Sequence, residues 1–109
     1  MKIPESVRIG GQEYAVVYEP VLVDDGKELC GQIRYMKGEI ALSEGCDMGH
    51  DAACQTLLHE ILHGIARLFN AEIEDEETVI DMFAKGLYQV LQDNESRLFD
   101  LKEVRHEDR

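Results

Sequence analysis

The first half of the chain alternates apolar and polar positions, as β-strands do. Residues 7–18 alternate about a Gly10-Gly11 pair that can turn the chain, and residues 32–42 alternate about Lys37-Gly38. Glycine at a two-residue turn is a strong hairpin signal because it accepts positive φ angles. The pattern therefore predicts two hairpins, the second ending near Ser43, with the acidic stretch 24–27 between them as a loop.

From about Met48 the apolar positions change to the three- and four-residue spacing of an amphipathic helix. The apolar positions with this spacing are Leu58, Ile61, Leu62, Ile65, Leu68 and Phe69. We expect the face built on Leu58, Ile61, Leu62 and Ile65 to pack against the sheet. Either Asp47 or Asp51 could cap the start of the helix, and Asn70 is a suitable end residue.

A second helical pattern follows an acidic connection and extends to about Asp93, with carboxylates at positions 75–77 in its first turn, where the helix dipole favours them. Its apolar side is formed by Val79, Phe83, Leu87, Val90 and Leu91. A short helix over residues 98–104 is predicted in the tail. Strands that precede helices indicate an α+β fold, a small antiparallel sheet of two hairpins packed on two helices. The expected division is one domain over residues 1–94 and a short C-terminal helix or tail over 95–109.

Composition narrows the classes of function. The net charge is −12, and the eleven Lys and Arg residues form no cluster, which argues against nucleic-acid binding. No apolar run approaches the length of a membrane span, and no signal peptide is visible, so we expect a cytoplasmic protein with no membrane partner. Three cysteines without CxxC spacing predict free thiols, with Cys54 as a small core residue. The oligomeric state stays open, since exposed strand edges could still pair.

Candidate chemistry lies on the first helix, where His59, Glu60 and His63 fit the pattern H-E-x-x-H. Residues i and i+4 share one helix face, so both imidazoles can bind one ion. Glu60 is rotated by about 100° from His59, and there it can take a proton from a metal-bound water. Zinc suits neutral imidazole ligands. The alternative is a pair of boundary histidines balanced by nearby carboxylates.

A catalytic zinc site needs a third protein ligand. Candidates downstream are Glu72, Glu74, Asp75, Glu76, Glu77, Asp81 and the distant His106. Glu77 and Asp81 share a face of the second helix, so one could bind the ion while the other holds the far nitrogen of a histidine. A tight antiparallel helix hairpin turning near Ile73 would set His63 level with Asp81 and leave Glu77 about one turn nearer the loop. On the residues alone the two stay nearly equal.

Two segments, TLLHEILH (56–63) and ETVIDMFA (77–84), together resemble the ImmA/IrrE-type zinc metallopeptidases, a gluzincin-like group of phages, mobile elements and bacterial regulators. That family has HExxH followed by a helix that reads roughly ExxANxFA. This chain departs from the second motif, with Ile80 in place of Ala and Asp81 in place of Asn. The gap between the motifs is also shorter than in larger members, and regions that hold or regulate substrates there have no counterpart here.

The resemblance implies a ligand set and an activity. It assigns zinc binding to His59, His63 and Glu77, the general base to Glu60, and a supporting place beside a histidine to Asp81. The implied activity is hydrolysis of a peptide bond in a peptide or protein substrate. The alternative is a zinc-stabilised, non-catalytic binding or regulatory protein of phage or mobile-element origin.

Two further expectations concern the substrate. Zincins present an edge strand along which the substrate adds as another strand, and residues 39–42, just before the helix, are the candidate. Many zincins also use a Tyr or His to stabilise the oxyanion. Tyr35, His50 and Tyr88 are available for this task, although for each of them a structural role is the stronger expectation.

Overall fold

A computed structural model describes residues 2–46, 48–95 and 97–98, and in these residues strands precede helices. The elements are β1 (Ser6–Ile9), β2 (Gln12–Glu19), β3 (Leu22–Asp24), β4 (Lys27–Leu29), β5 (Gly31–Arg34), β6 (Glu39–Ser43), α1 (His50–Leu68) and α2 (Glu76–Asp93). The predicted α+β class is confirmed.

Four strands form the main sheet in the order β1-β2-β6-β5. The predicted β1–β2 and β5–β6 hairpins are both present and antiparallel. Gly10, Gly11 and Gly38 have positive φ angles in the two turns, which explains why glycine stands there. β2 and β6 run parallel, with Val17 opposite Ala41. The sheet is therefore mixed, whereas the prediction was a purely antiparallel one.

The predicted substrate edge was wrong. β6, which contains residues 39–42, lies between β2 and β5 and has no free edge. Its Ile40 is 0% exposed and its Leu42 is 2% exposed, so the apolar run IAL occupies the most buried position of the sheet. The edge strand beside α1 is β5. Residues 25–26 turn the chain, in agreement with the predicted loop, but Asp24 ends β3 and Lys27 begins β4, and these two strands form a separate sheet that was not predicted.

The prediction of three free cysteines was wrong for two of them. Cys30 and Cys46 form a disulfide with a Cα–Cα separation of 5.6 Å, whereas Cys54 is free and buried as expected. Cys30 immediately precedes β5 and Cys46 follows β6, so the hairpin brings both flanks together. Ser43 N donates a hydrogen bond to Cys30 O at 2.9 Å beside the bridge. Sequence spacing alone did not show this pairing.

The start of α1 lacks the predicted side-chain cap. Gly49 is the N-cap and makes no side-chain hydrogen bond, while Asp51 lies inside the first turn. Asp47, the other candidate cap, lies outside the described residues. The end of the helix follows the prediction, since Asn70 has a φ of 54°, the left-handed conformation common just past a helix C-terminus.

The face of α1 that meets the sheet includes the predicted Ile61 but is turned from the rest of the predicted face. Leu57 belongs to the core cluster with Ile9 and Ile40, whereas Ile65, predicted to pack, is 39% exposed. Gly64 explains the shift, because a Cβ there would lie 3.0 Å from Ile9 Cδ1. The helix therefore packs closely on the sheet at its smallest residue, which a search for large apolar side chains overlooks.

The second helix is also rotated relative to the prediction. Ile80, Ala84 and Tyr88 are its buried residues. The predicted positions Phe83 and Val90 are 58% and 47% exposed. The predicted tail helix falls largely on residues 99–109, outside the described part of the chain. Among the described residues, neither helix is long and apolar enough to cross a membrane.

Candidate metal centre

The two helices run antiparallel, and their relative level decides which acidic residue meets the histidines. His63 contacts Glu77, and His59 contacts both Glu77 and Asp81. α2 therefore begins beside His63 and not beside Leu68, the last residue of α1. A tight turn between the helices, one case considered from the sequence, would instead have left Glu77 about one turn nearer the loop.

Three side chains on these helices point their ligand atoms at one another. His59 Nε2 and His63 Nε2 lie 3.2 Å apart. Glu77 Oε2 is 2.8 Å from His59 Nε2, and Glu77 Oε1 is 3.0 Å from His63 Nε2. The ligand atoms of all three residues lie within 4.8 Å of one another. Within the described ranges these residues can hold a metal ion.

The chemistry of this donor set can be tested against a small divalent cation. An ion with tetrahedral bonds of about 2.0–2.1 Å to N and O holds its ligand atoms about 3.3–3.4 Å apart. The separations of 2.8 to 3.2 Å are slightly shorter than these, so a small outward shift of each side chain accommodates the ion. Two imidazoles and one carboxylate leave a fourth position open, as in catalytic zinc sites.

The other nitrogen of each imidazole meets a carboxylate of α2. His63 Nδ1 lies 2.7 Å from Glu76 Oε2, and His59 Nδ1 lies 3.5 Å from Asp81 Oδ1. Asp81 also accepts a hydrogen bond from Lys85. Lys85 and, to a smaller extent, His59 lower the pKa of the Asp81 carboxyl. Asp81 thus lies between the far nitrogen of His59 and the ammonium of Lys85.

Glu76 is the residue that sequence reasoning missed. It stood among the third-ligand candidates, yet the structure directs its carboxylate to the far nitrogen of His63. A carboxylate beside Nδ1 of each ring restricts the orientation of the ring and favours the tautomer in which Nε2 can bind a metal ion. The available signal was the position of Glu76 directly before Glu77 in the first turn of α2.

Glu60 lies on the opposite, sheet-facing side of the two histidines. It is only 8% exposed, and its Oε1 accepts a hydrogen bond of 3.1 Å from the Ile33 amide of β5. Burial raises the pKa of its carboxyl, while the charges of His59 and His63 and the amide bond act in the opposite direction. Glu60 is therefore a carboxyl group fixed next to the ion position, but it does not belong to the converging group of His59, His63 and Glu77.

The close approach of β5 to α1 depends on Gly31. A Cβ at this position would lie 2.5 Å from Thr56 Cγ2 and 3.3 Å from Glu60 Cγ. A contact of 2.5 Å is essentially never seen between real carbon atoms, so a side chain here would push the strand away from the helix. Gly31 thereby sets the distance between the strand edge and Glu60.

A cavity of about 540 Å³ opens over the site between β5 and α2. It is lined by Asp24, Lys27 and Leu29 of the β3–β4 hairpin, by Gly31, Gln32, Ile33 and Tyr35, and by Glu60, His63 and Glu77. The hairpin that the sequence presented as a loop therefore forms one wall of the cleft.

The remaining candidates for oxyanion stabilisation and for the third ligand lie in different parts of the molecule. Tyr35 lines the cleft, whereas Tyr88 is buried and donates a hydrogen bond to Asp51 at 2.6 Å, which raises the pKa of its phenol to about 12. His50 lies 3.5 Å from Cys54 at the start of α1. The acidic candidates Glu72, Glu74 and Asp75 are not in the converging group, and His106 lies outside the described residues.

Comparison of the chain with models of protein families, with curated proteins and with solved structures found no match in any of the three.

Proposed function

We propose that the protein is a zinc-dependent metallopeptidase, with His59, His63 and Glu77 as ligands and Glu60 as general base. The observation that carries this proposal is the position of Glu60, a buried carboxylate held by a strand amide directly beside three converging ligand atoms. The motif resemblance supports the same assignment. Imidazole and carboxylate donors suit zinc, although they also bind other divalent ions.

The chain's own residues have separate tasks in this reaction. A bound zinc ion supplies a Lewis acid that polarises the scissile carbonyl and lowers the pKa of water. Oε1 of Glu60 is engaged by the Ile33 amide, which leaves Oε2 to accept a proton from the attacking water. The same atom then delivers the proton to the leaving amine nitrogen. Glu76 and Asp81 keep the two imidazoles oriented throughout.

The substrate lies along β5 in this proposal. Cys30 and Arg34 use their carbonyls to accept hydrogen bonds from Ser43 and Gly38, so their backbone faces β6 and its turn. Gly31 and Ile33 alternate with them and face the opposite edge, where the Ile33 amide already donates to Glu60. An extended peptide added to that edge would pass directly over Glu60 and the ion position. β5 thus takes the place that the sequence had suggested for residues 39–42.

The non-catalytic alternative accounts less well for Glu60. Removing a carboxylate from water is costly unless hydrogen bonds and charges compensate. A site that only stabilised the fold would gain nothing from such a group, because Glu60 is not in the ligand set. Its burial next to the histidines is expected of a general base.

The test combines metal analysis with one conservative variant. We expect about one zinc per chain in protein purified without added metal, and cleavage of members of a broad peptide library. The variant Glu60→Gln should retain the zinc and lose cleavage by a factor of about 10² to 10⁴. Zinc-loaded wild type that cleaves no peptide would disprove the enzymatic proposal, and a chain without metal would disprove the site itself.

A further inference from the structure

Arg67 lies beside the metal centre in a chain whose net charge is −12. Arg67 follows His63 by four residues on α1, one helical turn or about 6 Å along the axis. Its guanidinium carbon lies 4.0 Å from the centre of the Tyr35 ring. Stacking on an aromatic face restricts the guanidinium while its N–H groups remain available in the plane.

The groove continues from the metal centre to this arginine. Tyr35 and His63 line the cleft over the ion position, and both also line an adjoining cavity of about 390 Å³. Arg67 and Glu76 belong to the walls of that second cavity. A peptide that extends along β5 past Ile33 therefore meets Tyr35 and then Arg67.

Arg8 and Arg34 are paired with carboxylates and Arg97 donates a hydrogen bond to Asn94, whereas Arg67 has no such partner among the described residues. Arg8 forms a salt bridge with Glu13, and Arg34 forms salt bridges with Glu19 and Glu39. Within residues 2–46, 48–95 and 97–98, the guanidinium of Arg67 has no carboxylate partner, and its contact is the Tyr35 ring. Its donors are therefore available to a ligand, and a planar fork of N–H groups matches a carboxylate best.

We propose that Arg67 binds a carboxylate of the substrate and so gives the site a preference for acidic peptides. This inference rests on the proposed peptidase function. One helical turn of about 6 Å corresponds to about two residues of extended chain at about 3.4 Å each. The carboxylate is thus one to three residues from the scissile bond, and it comes from an acidic side chain or from the C-terminus of a short peptide.

The simpler role for Arg67 is to compensate the dipole at the end of α1, where it is the basic residue of the last turn. Arg67→Lys separates the two roles. A lysine keeps the charge near the helix end, but it lacks the planar fork and the stacked geometry. A dipole role would leave substrate preference unchanged in this variant.

The experiment profiles cleavage of a synthetic peptide library with free and amidated C-termini by the zinc-loaded protein. We expect enrichment of Asp and Glu at one position, or of free C-termini near the cleaved bond. For the best acidic peptide, Arg67→Ala should lower kcat/KM about threefold to tenfold, as expected for a partly exposed charged contact, and leave the neutral analogue nearly unchanged. Arg67→Glu should shift the preference to Lys and Arg. Arg8→Ala, a matched loss of charge away from the groove, should behave as wild type.

Several results would overturn the inference while the peptidase function stands. These are cleavage without acidic preference, an unchanged profile in Arg67→Ala, or loss of the preference in Lys27→Ala alone, since Lys27 is the other cation of the cleft. If the wild type cleaves nothing, zinc-loaded Glu60→Gln still provides a binding test. If this variant retains acidic library peptides selectively and the double variant Glu60→Gln/Arg67→Ala does not, the role of Arg67 is supported. Retention of peptides without acidic selectivity excludes that role.

Discussion

The two sides of the metal centre are built differently. On the sheet side, Glu60 is 8% exposed and hydrogen-bonded to the Ile33 amide. On the α2 side, the side chain of Glu77 is 72% exposed, and its contacts are the two histidines. Folding therefore places Glu60, the proposed general base, whereas Glu77, the proposed third ligand, reaches its position through attraction to the histidines or to an ion.

Packing explains this difference. α1 meets β5 at positions where glycine allows very close contact, Gly31 on the strand and Gly64 on the helix. α2 buries Ile80, Ala84 and Tyr88 in its contact with α1, and the first turn that carries Glu77 extends beyond them. We therefore expect changes on the sheet side to affect catalysis and stability, and changes on the α2 side to affect metal affinity.

The largest effect is expected from the third ligand. Glu77→Ala should weaken zinc binding by more than about 100-fold, because loss of an outer-shell partner alone costs about 10- to 100-fold. Glu60→Gln should leave zinc affinity nearly unchanged. Competition with a chromogenic chelator measures both variants. Equal losses of affinity would show that Glu60 is itself a ligand and would remove the distinction between the two sides.

Glu76 should matter more than Asp81 for metal affinity. Glu76→Gln is expected to lower zinc affinity about 10- to 100-fold, because its carboxylate holds His63 Nδ1 at 2.7 Å. Asp81→Asn should cost less, since its carboxylate is 3.5 Å from His59 Nδ1 and is shared with Lys85. The same chelator titration ranks the two. The reverse order would mean that His59, and not His63, depends on its α2 partner.

Two glycines within helices test how closely each helix is packed, Gly64 on α1 and Gly86 on α2. Gly64→Ala should lower the free energy of unfolding by about 1–2 kcal/mol, because the new methyl group would lie 3.0 Å from Ile9 Cδ1. Gly86→Ala on α2 should raise that free energy by about 0.5–1 kcal/mol, since no atom lies within 4 Å of the new Cβ. Urea denaturation measures both. Stabilisation by Gly64→Ala would show that α1 does not approach the sheet this closely.

The smallest effect concerns the far end of α2, where Tyr88 donates a hydrogen bond to Asp51 of α1. This bond and burial raise the pKa of Tyr88 from 10.0 to about 12. A raised folded-state pKa contributes stability below pH 10 that is lost as the pH rises through about 12. The melting temperature of wild type should therefore fall more steeply over this range than that of Tyr88→Phe. Parallel curves would show that this bond does not link the helices.

Local patterns were sufficient for the hairpins and the helices. Gly10-Gly11 and Lys37-Gly38 predicted their turns because positive φ angles are a property of single residues. The spacing of His59, Glu60 and His63 on a helix predicted two convergent imidazoles because a helical turn relates i to i+4 wherever the helix lies. The α+β order followed from the change of period near Met48.

The relations between elements required the tertiary structure. That β5 and not residues 39–42 forms the edge depends on the parallel pairing of β6 with β2, a contact between distant segments. The Cys30–Cys46 bridge depends on the β5–β6 hairpin, which brings the residues on its two flanks together. Whether Glu77 or Asp81 meets both histidines depends on the level at which α2 starts beside α1. The connection 69–75 sets that level, and it has no periodic pattern from which the level could be predicted. The sequence by itself thus determined which groups share an element, and only long-range packing decided which elements bring those groups to one point.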